Sequence, residues 1–118
     1  NKQLRLMIIS KKENKPIGAI DLFDYDPFHL RAGVGILIND GHSRGKGLAK
    51  QSLSILKDYA FKYLHLKQLY CSIAEDNKIS QQLFEDMGFV KCGTRKAWQR
   101  TIEGWIDDHF YQCIDKNA

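Results

Sequence analysis

The sequence predicts a layered α/β (α+β) domain in which helices flank a mixed, mostly antiparallel sheet, with elements in the order β-β-β-α-β-α-β-β. Three observations lead there. Alternating apolar residues separated by turn residues mark three strands early in the chain. One long segment carries apolar residues at helical steps of three and four, and two further strand patterns follow a second, shorter helix.

Leu4, Leu6 and Ile8 alternate as in a half-buried strand, and polar residues 11–16 turn the chain into a second strand over 17–25, giving a hairpin. Asp26-Pro27 breaks that strand, because proline has no N–H for the ladder, and residues 32–38 supply a third. Ala49, Leu53, Leu56, Ala60 and Tyr63 then recur on one face of a central helix. Residues 68–74 return as a strand. Asn77 is placed to cap a helix whose buried face is Ile79, Leu83 and Met87, and Gly88 stops it. Strands over 90–101 and 105–114, joined by a turn at Glu103-Gly104, complete the sheet, and no repeat or low-complexity segment appears.

The 118 residues, 43% of them hydrophobic, fit one domain spanning 1–118. The net charge of +4 and pI near 9.0 are spread along the chain in short pairs such as Lys11-Lys12 and Arg95-Lys96, which describes a solvated surface, not a nucleic-acid-binding stripe. No apolar run approaches the roughly 20 residues a membrane helix needs, and Asn1-Lys2-Gln3 begins no signal peptide. Cys71, Cys92 and Cys113 are widely spaced without a metal pattern, as expected of reduced thiols in a soluble cytoplasmic protein.

The most informative segment is the strand Val34-Gly35-Ile36-Leu37-Ile38 running into Arg44-Gly45-Lys46-Gly47-Leu48-Ala49, which opens directly into the central helix. Glycines let a ligand approach the backbone, and a helix start offers unpaired N–H groups at the positive end of its dipole, so this loop suits a phosphate. Spacing excludes two familiar versions. Gly41 is followed by three residues before Gly45-Lys46, and Gly47 stands where a P-loop needs a hydroxyl. A dinucleotide fingerprint fails too, since Lys50 follows Gly45-x-Gly47 and no acid lies between Tyr63 and Tyr70.

The loop resembles the Arg/Gln-x-x-Gly-x-Gly/Ala pyrophosphate loop of the GNAT superfamily of acetyl-CoA-dependent N-acetyltransferases, with His42 at its first position. Asn77-Lys78-Ile79-Ser80 and Glu85-Asp86-Met87-Gly88-Phe89 are similar to the Asn-x-x-Ser and Glu-x-x-Gly-Phe signature of the ribosomal-protein and spermidine acetyltransferase branches. The resemblance runs from about Leu4 to Ile114 and implies an acyl-CoA N-acyltransferase-like fold. It lacks the strand and helices that members carry before this point, which suggests a truncated chain.

The resemblance also implies roles. Ile36, Leu37 and Ile38 belong to the strand whose backbone pairs with pantetheine and polarises the thioester; Arg44, Gly45, Lys46, Gly47, Leu48 and Ala49 would hold the pyrophosphate; Asn77 and Ser80 would bond the pantetheine side. Asn77 also reads as an ordinary N-cap and Ser80 as an ordinary first-turn residue, and Leu37 and Ile38 are expected in the core whatever else they do. The family's usual proton handlers are replaced by Phe84 and Gly33. Substitutes would come from Asp24, Asp26 and His29, where an acidic pair sharing one strand face attracts an ammonium acceptor, or from Cys71, Ser72 and Glu75; turn residues before Pro27 are the equal alternative for the acidic pair. Asp107-Asp108 on the final hairpin is expected at the surface, with substrate contact as the alternative, and direct transfer leaves Cys71 no nucleophilic role. The implied function is acetyl transfer from acetyl-CoA, without a metal, to a primary amine: a polyamine, another small amine or a peptide N-terminus. A homodimer accompanies it by resemblance. The alternatives are a CoA-binding module without catalysis, and a basic nucleic-acid-binding domain.

Overall fold

In a computed structural model, residues 3–10, 14–38 and 45–117 are described. The sheet comprises β1 (Leu4–Ser10), β2 (Lys15–Asp26), β3 (Arg31–Ile38), β4 (Gln68–Ala74), β5 (Val90–Thr101) and β6 (Gly104–Ile114), in the spatial order β1-β2-β3-β4-β6-β5. Helix α1 (Gly45–Asp58) runs on through a π-helical turn, Tyr59–Tyr63, and α2 (Lys78–Asp86) joins β4 to β5. Only β3 and β4 pair in parallel among these neighbours; all other pairings are antiparallel. The order and mixed sheet are those the sequence predicts. The parallel pair exists because β3 and β4 are joined by a helical crossover, whereas β1–β2, β2–β3 and β5–β6 follow one another directly and pair antiparallel, and α2 carries the chain from β4 past β6 to β5.

Both helices pack on one face of the sheet. Ala49, Leu53, Leu56 and Ala60 from α1 and its π-helical turn, with Leu83 and Phe84 from α2, meet Ile20, Leu22, Ala32, Val34, Leu69, Cys71, Ile73, Tyr111 and Cys113 from the strands. The registers place Asp21, Phe23, Gly33, Gly35, Tyr70, Ser72 and Phe110 on the opposite face. Among the described residues, no helix covers that second face.

Two helical expectations need correction. Tyr63 is 75% exposed, not buried. The chain widens to i→i+5 bonding where the Leu64 N–H donates to the Tyr59 carbonyl (3.0 Å), and this advances the helical phase. Tyr63 therefore turns outward and stacks on Tyr59, while Phe61 and Leu64 pack on the core. In α2, Ile79 is 65% exposed and Phe84 takes the inward position, edge-on against Phe89 at 4.9 Å. The inner stripe of this short helix is Leu83, Phe84 and Met87. Met87 sits at the C-cap before Gly88, whose φ of +91° ends the helix.

Leu53 is fully buried between α1 and the sheet. Leu53→Ala is expected to lower the unfolding free energy by about 2–5 kcal/mol in urea denaturation, as loss of a packed core side chain does; a change below half a kilocalorie would mean that α1 does not close the core.

Candidate active site

Strands β3 and β4 hold together at only three positions, Arg31↔Gln68, Ala32↔Leu69 and Gly33↔Tyr70. Beyond them the strands part. On its other side β3 stays paired to β2 as far as Gly18↔Ile38, and β4 stays paired to β6 as far as Ala74↔Asp108. Residues 34–38 and 71–74 thus present unpaired backbone edges to each other across a slot inside the sheet. Backbone N–H and C=O groups need partners, so a slot of this kind is built for an extended ligand carrying amides.

The helices begin at its mouth. Helix α1 starts at Gly45 after β3, and α2 starts after Asn77, following β4. Arg44 and His42 lie outside the described residues, as do the side chains of Ile38 and Lys46. Gly45, Lys46 and Gly47 form the first turn of α1, and a Cβ added at Gly47 would meet no heavy atom within 4 Å. The chain's own packing does not require that glycine, and its absent side chain leaves the helix start open to an anion. Leu48 is half-buried and Ala49 buried, so the helix is anchored from its second turn inward. Ile36 packs toward the core, but the expected core position of Leu37 is wrong: it is 64% exposed, because strand alternation puts it with Gly33 and Gly35 on the face away from the helices.

Asn77 is an N-cap: its Oδ1 accepts from the Ser80 N–H at 3.1 Å. This fixes the side chain at the slot's mouth with its amide donors still available to a ligand, and Ser80 is half-buried beside it. Sequence reasoning missed the residues that hold the mouth. Gln81 Nε2 donates to the carbonyls of Ala74 and Glu75, both at 3.0 Å, and so ties α2 to the end of β4. Lys57 Nζ donates to the Met87 carbonyl at 2.6 Å, and Lys50 pairs with Asp86 at 3.0 Å, clasping α1 to α2. Polar residues in these patterns look like ordinary solvated helix positions; only the packing of one helix on the other gives them partners.

The acidic residues do not form a shared pair. Asp24 has φ +51°, and the β2–β3 register shifts between Phe23 and Asp26, so the alternation that would put Asp24 and Asp26 on one face is broken. Asp26 caps the following turn: Oδ1 accepts from the N–H groups of Phe28 (3.0 Å) and His29 (2.9 Å), and Oδ2 meets His29 Nδ1 at 2.9 Å. The His29 N–H, then its imidazole, hold the Asp26 carboxyl down at about 2. Asp24 is exposed, with no hydrogen bond or ion pair among the described residues.

The expected surface position of Asp108 is also wrong. It is 1% exposed and bound by the Arg95 guanidinium, which also donates to Ser72 Oγ at 2.6 Å and lies 4.4 Å over the Trp98 ring. Glu75 Oε1 accepts from the Asp107 N–H at 2.7 Å, continuing the β4–β6 edge. Burial, reinforced by Asp108, pushes the Cys71 thiol up to about 12, so it stays protonated and unreactive at neutral pH. Among the described residues no cluster of three His, Cys, Asp or Glu side chains is arranged to hold a metal.

Two of the positions that depart from the GNAT pattern, Gly33 and Phe84, have physical explanations; the third, His42, lies outside the described residues. The Phe23 ring crosses Gly33: a Cβ there would lie 2.9 Å from Phe23 Cδ2 and closer still to Cε2 and Cζ. Phe84 belongs to the core and faces Phe89.

The acetyltransferase (GNAT) domain profile matches residues 1–90. The chain belongs to the GNAT acetyltransferase family. An N-acetyltransferase 9-like protein of Nematostella vectensis is 39% identical over 94 residues, covering 79% of this chain and 48% of the relative. A spermidine N(1)-acetyltransferase of Vibrio cholerae serotype O1 is 30% identical over 89 residues, covering 75% and 51%. The solved dodecameric spermidine N-acetyltransferase of Vibrio cholerae superposes with a TM-score of 0.83 at 25% identity, covering 97% of this chain and 66% of that one. This GNAT chain spans about half the length of the curated relatives it matches.

Gly33→Ala is expected to destabilise this GNAT domain by about 1–3 kcal/mol through overpacking. In a Phe23→Ala background the same change should cost little; equal costs in both backgrounds would deny the ring–glycine contact. Asp26, held below its ordinary 3.8, stabilises the fold while ionised, and this contribution is lost as pH falls through about 2. Asp26→Asn should therefore be less stable than the parent at pH 7, with the difference closing at pH 2 in thermal melts. A difference independent of pH would remove the carboxylate from the turn.

Proposed function

We propose that the chain transfers an acetyl group from acetyl-CoA to a primary amine. The slot between β3 and β4, opening on the first turns of both helices, carries this reading. The N–H groups of residues 45–49, with the charge of Lys46 and Arg44, would hold the pyrophosphate. The unpaired edge of β3 at 36–38 would pair with the pantetheine amides, and one of its N–H groups would donate to the developing oxyanion, the kind of fixed donor whose removal typically costs about 10²–10³ in rate. Asn77 and Ser80 would meet the arm from the other side.

The amine nitrogen, having given its ammonium proton to water, attacks the thioester carbonyl carbon. The N–C bond forms, the carbonyl electrons move onto oxygen and return, and the C–S bond breaks. The thiolate leaves and takes up the proton that the nitrogen sheds. With position 33 under the Phe23 ring and position 84 in the core, neither usual proton handler serves, and a positioned acid or base is typically worth about 10²- to 10⁴-fold. A thiol of ordinary pKa about 8.5 leaves as thiolate without one. The same proposal includes a cytoplasmic setting, a peptide or small-molecule amine as acceptor, and assembly into a multimer, the Vibrio cholerae relative being dodecameric. No helix among the described residues is long and apolar enough to cross a membrane.

Calorimetric titration of acetyl-CoA tests this against Gly47→Glu, whose side chain enters open space and whose charge suits a helix start, so folding is retained. Micromolar binding to the parent, weakened at least about tenfold in the variant by charge repulsion at the helix start, is expected. Equal binding by both would place the phosphates elsewhere. Binding without CoA release from any amine would leave a CoA-binding module.

A further inference from the structure

An aromatic row lies at the closed end of the slot, on the face away from the helices. Phe23 covers Gly33 and reaches Gly35; its ring meets Tyr70 edge-on at 6.4 Å, and Tyr70 stacks on Phe110 at 5.6 Å. Tyr70 pairs with Gly33 at the last position where β3 and β4 are joined, so the row sits beside the point where they part. The rings are half-buried, and no helix among the described residues lies over them.

Charge on this surface is sparse and specific. The described strands carry five carboxylates: Asp21, Asp24 and Asp26 on β2, and Asp107 and Asp108 on β6. Asp21 is held by both arms of Arg5, at 2.7 and 2.9 Å. Asp26 caps its turn and meets His29, Asp107 takes the Ala97 N–H and Lys96, and Asp108 takes Arg95. Asp24 alone is uncommitted among them, and its positive φ turns it out of the strand's alternation directly beside Phe23. Its charge reaches the row: burial first, then Asp24, raise the Tyr70 hydroxyl above the ordinary phenol range, with Asp26 adding to this and Arg31 opposing it. Tyr70 therefore keeps its proton and can donate a hydrogen bond.

We propose that Phe23, Tyr70 and Phe110, with Asp24, form the acceptor subsite, and that it takes a primary amine bearing one positive charge on an apolar or aromatic body, in preference to a polyamine. This rests on the reading of the slot as the acetyl-CoA site. One free carboxylate matches one ammonium, ring faces attract that cation and cover its hydrocarbon, and a second ammonium would find, among the described strand carboxylates, only acids already bound, with the guanidinium of Arg31 3.9 Å from Asp26.

The test uses phenethylamine and spermidine as probes, with the parent and Asp24→Asn. Asparagine tolerates the left-handed backbone at this position, so the variant folds. Calorimetry in saturating CoA should show phenethylamine binding to the parent and at least about tenfold weaker binding to the variant, as loss of a charge-assisted hydrogen bond implies, with acetyl-CoA affinity unchanged. In turnover, phenethylamine should exceed spermidine in kcat/KM by about tenfold or more, and the variant should lose through KM. Preference for spermidine, no effect of the variant, or no amine binding overturns the proposal. Amine binding without turnover upholds the subsite and sinks the acetyl-transfer reading. Failure of acetyl-CoA to bind sinks the slot reading, and the amine titration then decides the subsite alone.

Discussion

After Gly33↔Tyr70 the two central strands separate while each keeps its outer partner, and the rest of the molecule is arranged around that separation. Backbone groups left without partners cost roughly 1–3 kcal/mol each once buried, so a sheet does not open at its middle unless other contacts hold the halves apart or a ligand completes the ladder. Here both halves are fixed from outside. β2 grips β3 to Ile38, β6 grips β4 to Ala74, and Gln81 ties the end of β4 to α2. Underneath, Lys50–Asp86 and Lys57–Met87 hold α1 against α2. The helix starts consequently stand at the open end, where an anion is favoured, and the aromatic row stands at the closed end.

Legibility in the sequence followed the range of the interactions. The strand ending at Ile38 and the helix that runs on from Gly45 were readable because each depends on neighbours within a few residues. The bounds of β4 and β5 and the cap at Asn77 were readable for the same reason. Tyr63 was misplaced because a single π-helical turn changes the phase of an otherwise regular stripe, and no residue in Tyr-Ala-Phe-Lys-Tyr announces it. Ile79 and Phe84 exchanged roles because a nine-residue helix has room for more than one apolar stripe, and contact with Phe89 selects between them.

The slot's chemistry was the least visible part. Gly33 reads as a missing base until the Phe23 ring is seen lying on it, and Asp108 reads as a surface acid until Arg95 reaches across from β5. Asp24 and Asp26 look equivalent by spacing, yet a one-residue irregularity in β2 makes one a turn cap and leaves the other free. These facts arise from strand register, which joins residues far apart in the chain. They also move the expected acceptor chemistry from a pair of carboxylates to one carboxylate beside three rings.

The central claim is that acetyl-CoA completes the parted sheet. Amide hydrogen exchange with and without acetyl-CoA measures this residue by residue. The account predicts new protection at residues 34–38, 71–74 and 45–49, with little change in β1 or β5. Protection confined to other segments, or none in the two strand edges despite saturable binding, would contradict it.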